Sequence, residues 1–271
     1  MSNTRVQQRM DALKASGRKA LIPYIVAGDP TPSITVPAMH ALVAAGADVI
    51  ELGMPFSDPF ADGPVNQRGA ERAIAAGMTL PGVINVVAEF RKQDDQTPVV
   101  LMGYLNPLIA MGETTFCEAC ENAGVDGLLI VDMPPEEEGS LVQSAKRHGL
   151  DLIYLAAPTT TDARLETIGS ATSGYLYYVS LKGITGSSKL DTHEVSQRIA
   201  HMRQHVSVPI CVGFGIRTAE DAAAISTTAD GSIVGTVLVS QVEALANQPE
   251  QIPAALQAIL QPMRQAMDAK A

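Results

Sequence analysis

The segment Ala47-Asp-Val-Ile-Glu-Leu-Gly-Met-Pro-Phe-Ser-Asp-Pro-Phe-Ala-Asp-Gly-Pro64 joins an apolar run to a loop rich in proline, glycine and acids. The run 47–50 predicts a buried strand, and Glu51 stands where that strand ends. Two more acids, Asp58 and Asp62, follow in a loop whose prolines restrict its conformation. Such an arrangement suits proton transfer, which needs groups within reach of a substrate and shifted pKa values. The alternative is that Glu51 is a satisfied strand-end carboxylate and that the two aspartates only brace turns.

The same pattern, an apolar strand that ends in polar or Gly/Pro residues before an alanine-rich helix, recurs about eight times. Strands that are apolar on both faces and alternate with helices favour a parallel sheet covered on both sides. A count near eight in ~250 residues favours a closed (β/α)₈ barrel over an open sheet. The predicted strands cover residues 21–26, 48–52, 99–102, 127–131, 152–155, 175–179, 209–212 and 232–234.

The remaining segments fit this architecture. The amphipathic segment 6–15 predicts an extra helix before the first strand, and 252–267 predicts a last helix of the outer ring. Pro135 with the acids that follow it predicts one helix start, and Thr218 predicts another. No composition shift or linker divides the chain. The sequence therefore predicts a single domain, residues 1–271, folded as one (β/α)₈ TIM barrel with an additional N-terminal helix.

Composition and charge narrow the classes of function. The 271 residues are 46% hydrophobic and carry a formal net charge of −10, which argues against nucleic acid and anionic membranes as partners. No apolar run is long enough to span a bilayer, and the polar start lacks the hydrophobic region of a signal peptide. We therefore expect a soluble cytoplasmic protein.

The cysteines and histidines carry no clear metal or redox signature. Cys117 and Cys120 form a CxxC pattern inside a predicted helix, 113–123, and Cys211 stands alone in a predicted strand. Helix packing is the favoured interpretation of the pair, because further zinc ligands at short spacing and a redox context are both missing. The five histidines fall mostly on predicted helices away from strand ends, so no metal site is predicted. No nicotinamide fingerprint or Walker loop is present in the sequence.

Three consecutive strand ends are rich in glycine, at residues 183–186, 213–215 and 235–236. Glycine lets backbone N–H groups approach an anion closely, and the start of the following helix adds a favourable dipole. Loops after the seventh and eighth strands of such barrels commonly hold phosphate, although turns also need glycine. The predicted rim therefore combines a phosphate site with carboxylates, which indicates acid–base chemistry on a small phosphate ester.

Six segments in order along the chain carry a resemblance to a known family. Residues 52–64 are similar to the signature of the tryptophan synthase α subunit, and the match extends over essentially the whole chain through residues 23–30, 102–107, 129–134, 183–186 and 213–216. The resemblance implies a TIM barrel that cleaves indole-3-glycerol phosphate to indole and glyceraldehyde 3-phosphate in tryptophan biosynthesis. It also implies an α2β2 heterotetramer. There a β subunit holds pyridoxal phosphate and receives the indole through an internal tunnel, while this chain holds no cofactor.

The resemblance also implies roles for individual residues. Glu51 becomes the general acid–base residue of a retro-aldol cleavage, and Asp62 accepts the N–H of the indole ring. This division agrees with the chemistry, because an apolar strand can keep Glu51 protonated while a polar loop leaves Asp62 ionised. The implied substrate-binding positions are Tyr24, Met102 and Leu129 around the indole, Tyr177 near the substrate, Gly186, Gly215, Gly235 and Thr236 at the phosphate, and Thr185 in a closing loop. The implied partner face includes Pro55, Asp58 and Asn106.

The loop after Glu51 also predicts a docking surface. We expect Met54, Phe56 and Phe60 to be exposed there, since aromatic residues and methionine anchor interfaces. The alternative is that these side chains fold inward and cover the mouth of the barrel.

Two positions depart from the family pattern and keep other functions open. Leu181, followed by Lys182, fills a position that is arginine in some members, and Tyr24 replaces a phenylalanine common on the first strand. Lys182 leaves a Schiff-base aldolase as an alternative, although nothing in its glycine-rich loop suggests the desolvation that lowers a lysine pKa. A chain that only binds and activates a partner is a second alternative, and the intact Glu51 and Asp62 argue against it.

Overall fold

Strands and helices alternate along the part of the chain that this computed structural model describes, residues 4–137, 139–180, 192–213 and 215–270. The strands are β1 (Ala20–Val26), β2 (Ile50–Gly53), β3 (Val99–Gly103), β4 (Gly127–Ile130), β5 (Asp151–Leu152), β6 (Leu155–Ala156), β7 (Leu176–Val179), β8 (Ile210–Gly213) and β9 (Gly231–Val234). The helices are α1 (Arg5–Ala15), α2 (Thr35–Ala44), α3 (Pro64–Ala75), α4 (Leu80–Arg91), α5 (Leu105–Met111), α6 (Glu113–Ala123), α7 (Ser140–Arg147), α8 (Asp162–Ala171), α9 (Thr192–Met202), α10 (Ala219–Ser226), α11 (Thr236–Ala244) and α12 (Ile252–Asp268). Short 3₁₀ helices, Pro32–Ile34 and Pro249–Gln251, precede α2 and α12.

Neighbouring strands are parallel, in the order β5-β4-β3-β2-β1-β9-β8-β7-β6. β5 and β6, the first and last strands in this order, belong to one continuous stretch of chain. β5 pairs with β4, and β6 pairs with β7. Between β5 and β6, the Ile153 N–H donates to the Leu128 carbonyl at 2.9 Å, and the Tyr177 N–H donates to the Tyr154 carbonyl at 3.0 Å. The stretch therefore joins both edges of the sheet. This confirms the predicted (β/α)₈ barrel and divides the predicted fifth strand in two.

One predicted helix start is wrong. Pro135 lies in a turn, in which the Glu137 N–H donates a hydrogen bond to the Pro134 carbonyl at 3.0 Å. Helix α7 begins only at Ser140. Proline at the second position of a turn and proline at the start of a helix share the same φ, so the sequence does not separate the two. Thr218, by contrast, caps α10 as predicted. The single domain over residues 1–271 stays a prediction.

Helix α1 closes the N-terminal end of the barrel. Its buried residues Val6, Met10 and Leu13 join the cluster of side chains that fills the barrel interior. Thr4 caps the helix and also donates a hydrogen bond to Asp151 at the start of β5, at 2.5 Å. The extra N-terminal helix thus seals the end of the barrel opposite the rim where active sites form.

The three cysteines are free and buried in the core. Cys117 and Cys120 lie on the buried face of α6, in agreement with the predicted packing role. Burial raises the pKa of all three thiols, so they stay protonated and unsuited to metal binding or disulfide exchange.

Within the described ranges, no single helix is long and apolar enough to cross a membrane. The pair α3 and α4 passes the same test of length and composition together, but it is bent by 93°. Val83, Val87 and Phe90 of α4 are fully buried in the core.

Candidate active site

The inner face of the barrel collects five of the predicted catalytic and substrate residues. Tyr24 pairs with Glu51 across β1 and β2, and Met102 pairs with Leu129 across β3 and β4. Tyr177 on β7 packs with Met102 against the interior cluster that contains Leu129. Side chains alternate along a strand, and each of these residues has the parity that points into the barrel.

Glu51 is a buried acid with one free oxygen. The Tyr175 hydroxyl donates a hydrogen bond to Oε1 of Glu51 at 2.6 Å, while Oε2 is buried and has no hydrogen-bond partner among the described residues. Burial raises the pKa of Glu51 to about 8, and the bond from Tyr175, which favours the charged form, opposes that rise only in part. Glu51 therefore carries a proton at neutral pH, as its place on an apolar strand predicts.

Asp62 is half-buried in the loop after β2. The Tyr104 hydroxyl donates to Oδ2 of Asp62 at 3.1 Å, and the side chain of Asn66 donates to the same carboxylate. Burial raises the pKa of Asp62, and these two hydrogen bonds oppose the rise. The sequence predicts that a polar loop leaves Asp62 ionised, and the structure adds detail to this prediction. The loop desolvates it in part, and two donors favour the ionised form.

The carboxylates of Glu51 and Asp62 both raise the pKa of the same two phenols, those of Tyr24 and Tyr177. Burial raises the pKa of both Tyr24 and Tyr177, and the negative charges of Glu51 and Asp62 raise it further. Each phenol therefore lies within electrostatic range of both carboxylates. The fold brings Glu51 on β2 and Asp62 in the following loop to one place, between β1 and β7.

Tyr24 and Tyr177 lie directly over glycines of neighbouring strands. A Cβ placed on Gly53 would overlap the Tyr24 hydroxyl, and one placed on Gly213 would overlap the Tyr177 hydroxyl. Glycine within a strand commonly marks such a close approach. The sequence places Gly213 in a glycine-rich strand end. In the structure, its lack of a side chain leaves room for the Tyr177 hydroxyl.

The predicted phosphate positions gather at the ends of β8 and β9. Gly215 follows β8 with a φ of +84°, and Gly235 precedes α11, which begins at Thr236 and has no side-chain cap. The start of α10, by contrast, is closed by the reciprocal hydrogen bonds of Thr218 and Asp221. The start of α11 has no side-chain cap, so it can present its first N–H groups to an anion.

Part of the predicted site lies outside the described residues. This part includes the whole glycine-rich segment 183–186, with Thr185 and Gly186, and also Phe214, Leu181 and Lys182. The Schiff-base alternative, which depends on Lys182, is therefore untested.

The predicted partner face is exposed in large part. Phe60 has 74% of its surface exposed, Asp58 and Asn106 are exposed, and Pro55 is half-buried. Ile109, one turn after Asn106 on α5, adds a further apolar side chain that is 54% exposed. Exposed apolar side chains among polar ones are typical of a docking surface.

Met54 departs from the expected exposure. It is buried, because the chain continues along the sheet past β2 and the Met54 N–H donates to the Met102 carbonyl at 2.8 Å. Its side chain packs where a Cβ on Gly103 would lie. Phe56 is half-buried, and only Phe60 is exposed as fully as predicted.

Tyr104 connects the exposed loop to Asp62. Its ring centroid lies 5.5 Å from that of Phe56 and 5.4 Å from that of Phe60, while its hydroxyl bonds Asp62 and accepts the Ala61 N–H at 3.1 Å. No role was predicted for Tyr104, although it directly follows the third strand, where functional side chains were expected.

Tyr175 and Asn66 were also missed. Tyr175 shares the parity of Tyr177, two residues later, and this is the signal that could have placed it inside the barrel. Asn66 lies in the first turn of α3, where no strand-end argument applies.

Comparison with known proteins decides the family. The model of the family described as tryptophan synthase alpha chain matches residues 10–268. The chain belongs to this family. It is 54% identical to the tryptophan synthase alpha chain of Nitrosococcus oceani over 266 residues, which cover 98% of each protein. It is 55% identical to that of Laribacter hongkongensis over 265 residues, 98% of this chain and 99% of the relative.

Solved structures agree. Tryptophan synthase subunit alpha from Legionella pneumophila superposes with a TM-score of 0.92 at 44% identity, covering 98% of this chain and 99% of that one. Family membership confirms the resemblance seen in the motifs. It also confirms the predicted enzyme class, a lyase of tryptophan biosynthesis.

Proposed function

We propose that this chain cleaves indole-3-glycerol phosphate to indole and glyceraldehyde 3-phosphate by carboxylate acid–base catalysis. The observation that carries the proposal is the state of Glu51. It is buried, its pKa is raised to about 8, Tyr175 holds one oxygen, and the other oxygen lacks a partner among the described residues. A protonated acid whose second oxygen is left for a substrate is what proton delivery to a carbon requires.

Glu51 serves both proton transfers of the retro-aldol step. Its carboxylic acid gives a proton to C3 of the indole, which places positive charge on the ring nitrogen. The carboxylate that remains then takes the proton of the side-chain hydroxyl. As the carbon–carbon bond breaks, its electron pair returns to the ring, the hydroxyl carbon becomes the aldehyde, and Glu51 is protonated again.

Asp62 stabilises the charge that develops on the ring. An ionised carboxylate that accepts the indole N–H is most useful when the nitrogen is positive, so it favours the intermediate over the substrate. Tyr104 and Asn66 donate to Asp62 and thereby fix its position before the substrate arrives. Such preorganisation avoids reorganising the site during the reaction.

The remaining site residues bind and orient the substrate. Tyr24, Met102, Leu129 and Tyr177 supply an apolar wall for the indole on the inner face of the barrel. Gly215, Gly235 and Thr236, with the open start of α11, hold the phosphate by backbone N–H groups. Because the chain is acidic overall, such local donors suit phosphate better than a broad basic surface would.

The partner is the second part of the proposal. The exposed face of Pro55, Asp58, Phe60, Asn106 and Ile109 docks onto a β subunit in an α2β2 complex, and the indole passes to it. Pyridoxal phosphate belongs to that subunit, and this chain needs no cofactor of its own for the cleavage described above. The Tyr104 ring, which touches Phe56 and Phe60, gives docking a direct route to Asp62.

An assay of indole-3-glycerol phosphate turnover, with and without a tryptophan synthase β subunit, tests the function. We expect slow cleavage by the isolated chain and faster cleavage in the complex, since docking against Phe60 presses on the Tyr104 ring and holds the Asp62 carboxylate more firmly in place. No cleavage in either condition would contradict the proposal. Borohydride trapping in the presence of substrate separates it from the Schiff-base alternative, because a covalent adduct on Lys182 would replace the acid–base mechanism.

A further inference from the structure

A second cluster of chemically active side chains lies on the outer helices. On α8, Asp162 and Glu166 are one turn apart, and His201 and His205 are one turn apart on α9 and the turn that follows it. Nε2 of His201 lies 2.7 Å from Oδ1 of Asp162, and Nδ1 of His205 lies 3.3 Å from Oε1 of Glu166. Two pairs with i,i+4 spacing therefore face each other in register.

Three of these side chains are close enough to share one ion. A ligand atom from each of Asp162, His201 and His205 lies within 4.8 Å of the other two. The centroids of the two imidazole rings are 5.2 Å apart. Tetrahedral zinc with bonds of about 2.0–2.1 Å holds its ligand atoms roughly 3.3–3.5 Å apart, a distance that side-chain rotation alone can reach from here.

The three side chains are also open to solvent. Asp162 is 58% exposed, His201 37% and His205 18%, so an ion can enter without any opening of the fold. Solvent can supply a fourth ligand.

We propose that Asp162, His201 and His205 form a binding site for Zn²⁺ or a similar borderline divalent cation. Two imidazoles and one carboxylate, completed by water, are a ligand set that zinc accepts and that magnesium and calcium, which prefer oxygen, do not. The Glu166 carboxylate contacts His205 and supports its orientation as an outer partner.

The sequence analysis predicts no metal site, so this proposal differs from it. Asp162 and His201 are 39 residues apart in the chain, and only the packing of α8 beside α9 brings them together. Helix α8 precedes β7 and α9 follows it, so a shared ion ties together the two helices around the strand that carries Tyr177. An ion bound only by the folded state raises its stability.

Calorimetric titration of the purified full chain with Zn²⁺ alone, together with thermal unfolding, tests the site. We expect saturation at one zinc ion per chain, a higher Tm with zinc than with EDTA, and no such rise with Mg²⁺. His201→Ala and His205→Ala should each weaken binding at least about tenfold, and Glu166→Gln by about tenfold. Unfolding in EDTA checks that each variant is folded.

Two histidines outside the cluster are matched controls. His193 is exposed on the same helix, and His148 pairs with Glu121, at 2.6 Å. His193→Ala and His148→Ala should bind zinc like the wild type. The proposal is wrong if the wild type takes up no zinc, if the double variant His201→Ala/His205→Ala binds it unchanged, or if a control variant loses it instead.

Discussion

The Tyr175 hydroxyl donates a hydrogen bond of 2.6 Å to Oε1 of Glu51, and both side chains are fully buried. The bond uses one oxygen of the carboxyl and leaves Oε2 for the substrate. It also favours the charged form of Glu51 and so limits how far burial raises the pKa of this acid. Tyr175 is thus a positioning residue that also adjusts the acidity of the proposed catalyst.

Tyr175→Phe should move the pH dependence of cleavage. In the wild type, kcat/KM falls as pH rises through about 8, because Glu51 loses the proton that it must deliver. Without the bond from Tyr175 the pKa of Glu51 rises further, so the fall should begin at a higher pH, while the maximal rate drops less than about tenfold. The measurement is a pH profile of kcat/KM for indole-3-glycerol phosphate. The role given to Tyr175 is contradicted if the fall in kcat/KM of the variant begins at the same pH as in the wild type, or at a lower pH.

Glu51→Gln should stabilise the protein, and more so at high pH. The pKa of Glu51 is about 8 when folded and near 4.5 when unfolded, so between these values the unfolded state binds fewer protons. The free energy of unfolding of the wild type therefore falls as pH rises from about 4.5 through 8, and glutamine removes this loss. We expect a gain of up to about 4 kcal/mol at pH 8 and a much smaller gain at pH 5, by urea unfolding.

Glu89→Gln is the control for that measurement, because Glu89 is exposed on α4 and pairs with the exposed Lys92 across one turn. It should change the free energy of unfolding little at either pH. A gain from Glu51→Gln that is equal at pH 5 and pH 8 contradicts the raised pKa.

The barrel could be predicted from the sequence because its signal is local. Each strand is apolar on both faces, each ends in polar or Gly/Pro residues, and helices lie between them, so the fold class did not need knowledge of distant contacts. Glu51 was found for the same reason, since a charged residue at the end of an apolar strand stands out. Boundaries were less certain, as Pro135 shows, because a turn and a helix start share the same proline geometry.

The contacts that complete the site could not be predicted, because they join residues far apart in the chain. Tyr175 lies 124 residues from Glu51, and Tyr104 lies 42 residues from Asp62. Both bonds depend on the closure of the barrel and on the path of the loop after β2. Met54 was misjudged on similar grounds, since its burial follows from a backbone bond to Met102 that continues the sheet.

Gly53→Ala should disturb the site through Tyr24. A Cβ at this position overlaps the Tyr24 hydroxyl, and overpacking of a buried site costs about 1–3 kcal/mol. We expect lower stability in urea and a lower kcat/KM. Tyr24→Phe removes the atom that lies nearest to the new Cβ, so the double variant should recover part of both losses. Losses that simply add in the double variant would show that Tyr24 and Gly53 are not in contact.

Asp58→Ala should weaken the effect of the β subunit more than the activity of the chain alone. Asp58 is exposed in the same loop as Phe60, on the proposed docking face, and its carboxylate accepts a hydrogen bond from Ser57. The measurement is the ratio of cleavage rates with and without saturating β subunit, which should fall. Asp11→Ala, on α1 at the opposite end of the barrel, is the control and should leave the ratio unchanged. Equal ratios for Asp58→Ala and the wild type contradict the docking face.

The most direct test of the account is the turnover of indole-3-glycerol phosphate by Glu51→Gln in complex with a β subunit, beside the wild type and Glu89→Gln. Glutamine keeps the size and the hydrogen bond to Tyr175 but cannot transfer the proton. We expect kcat to fall by a factor of ~10²–10⁴ or more, since Glu51 serves two proton transfers, while substrate affinity stays close to that of the wild type. Glu89→Gln should be as active as the wild type. Turnover by Glu51→Gln near the wild-type rate would remove Glu51 from the mechanism.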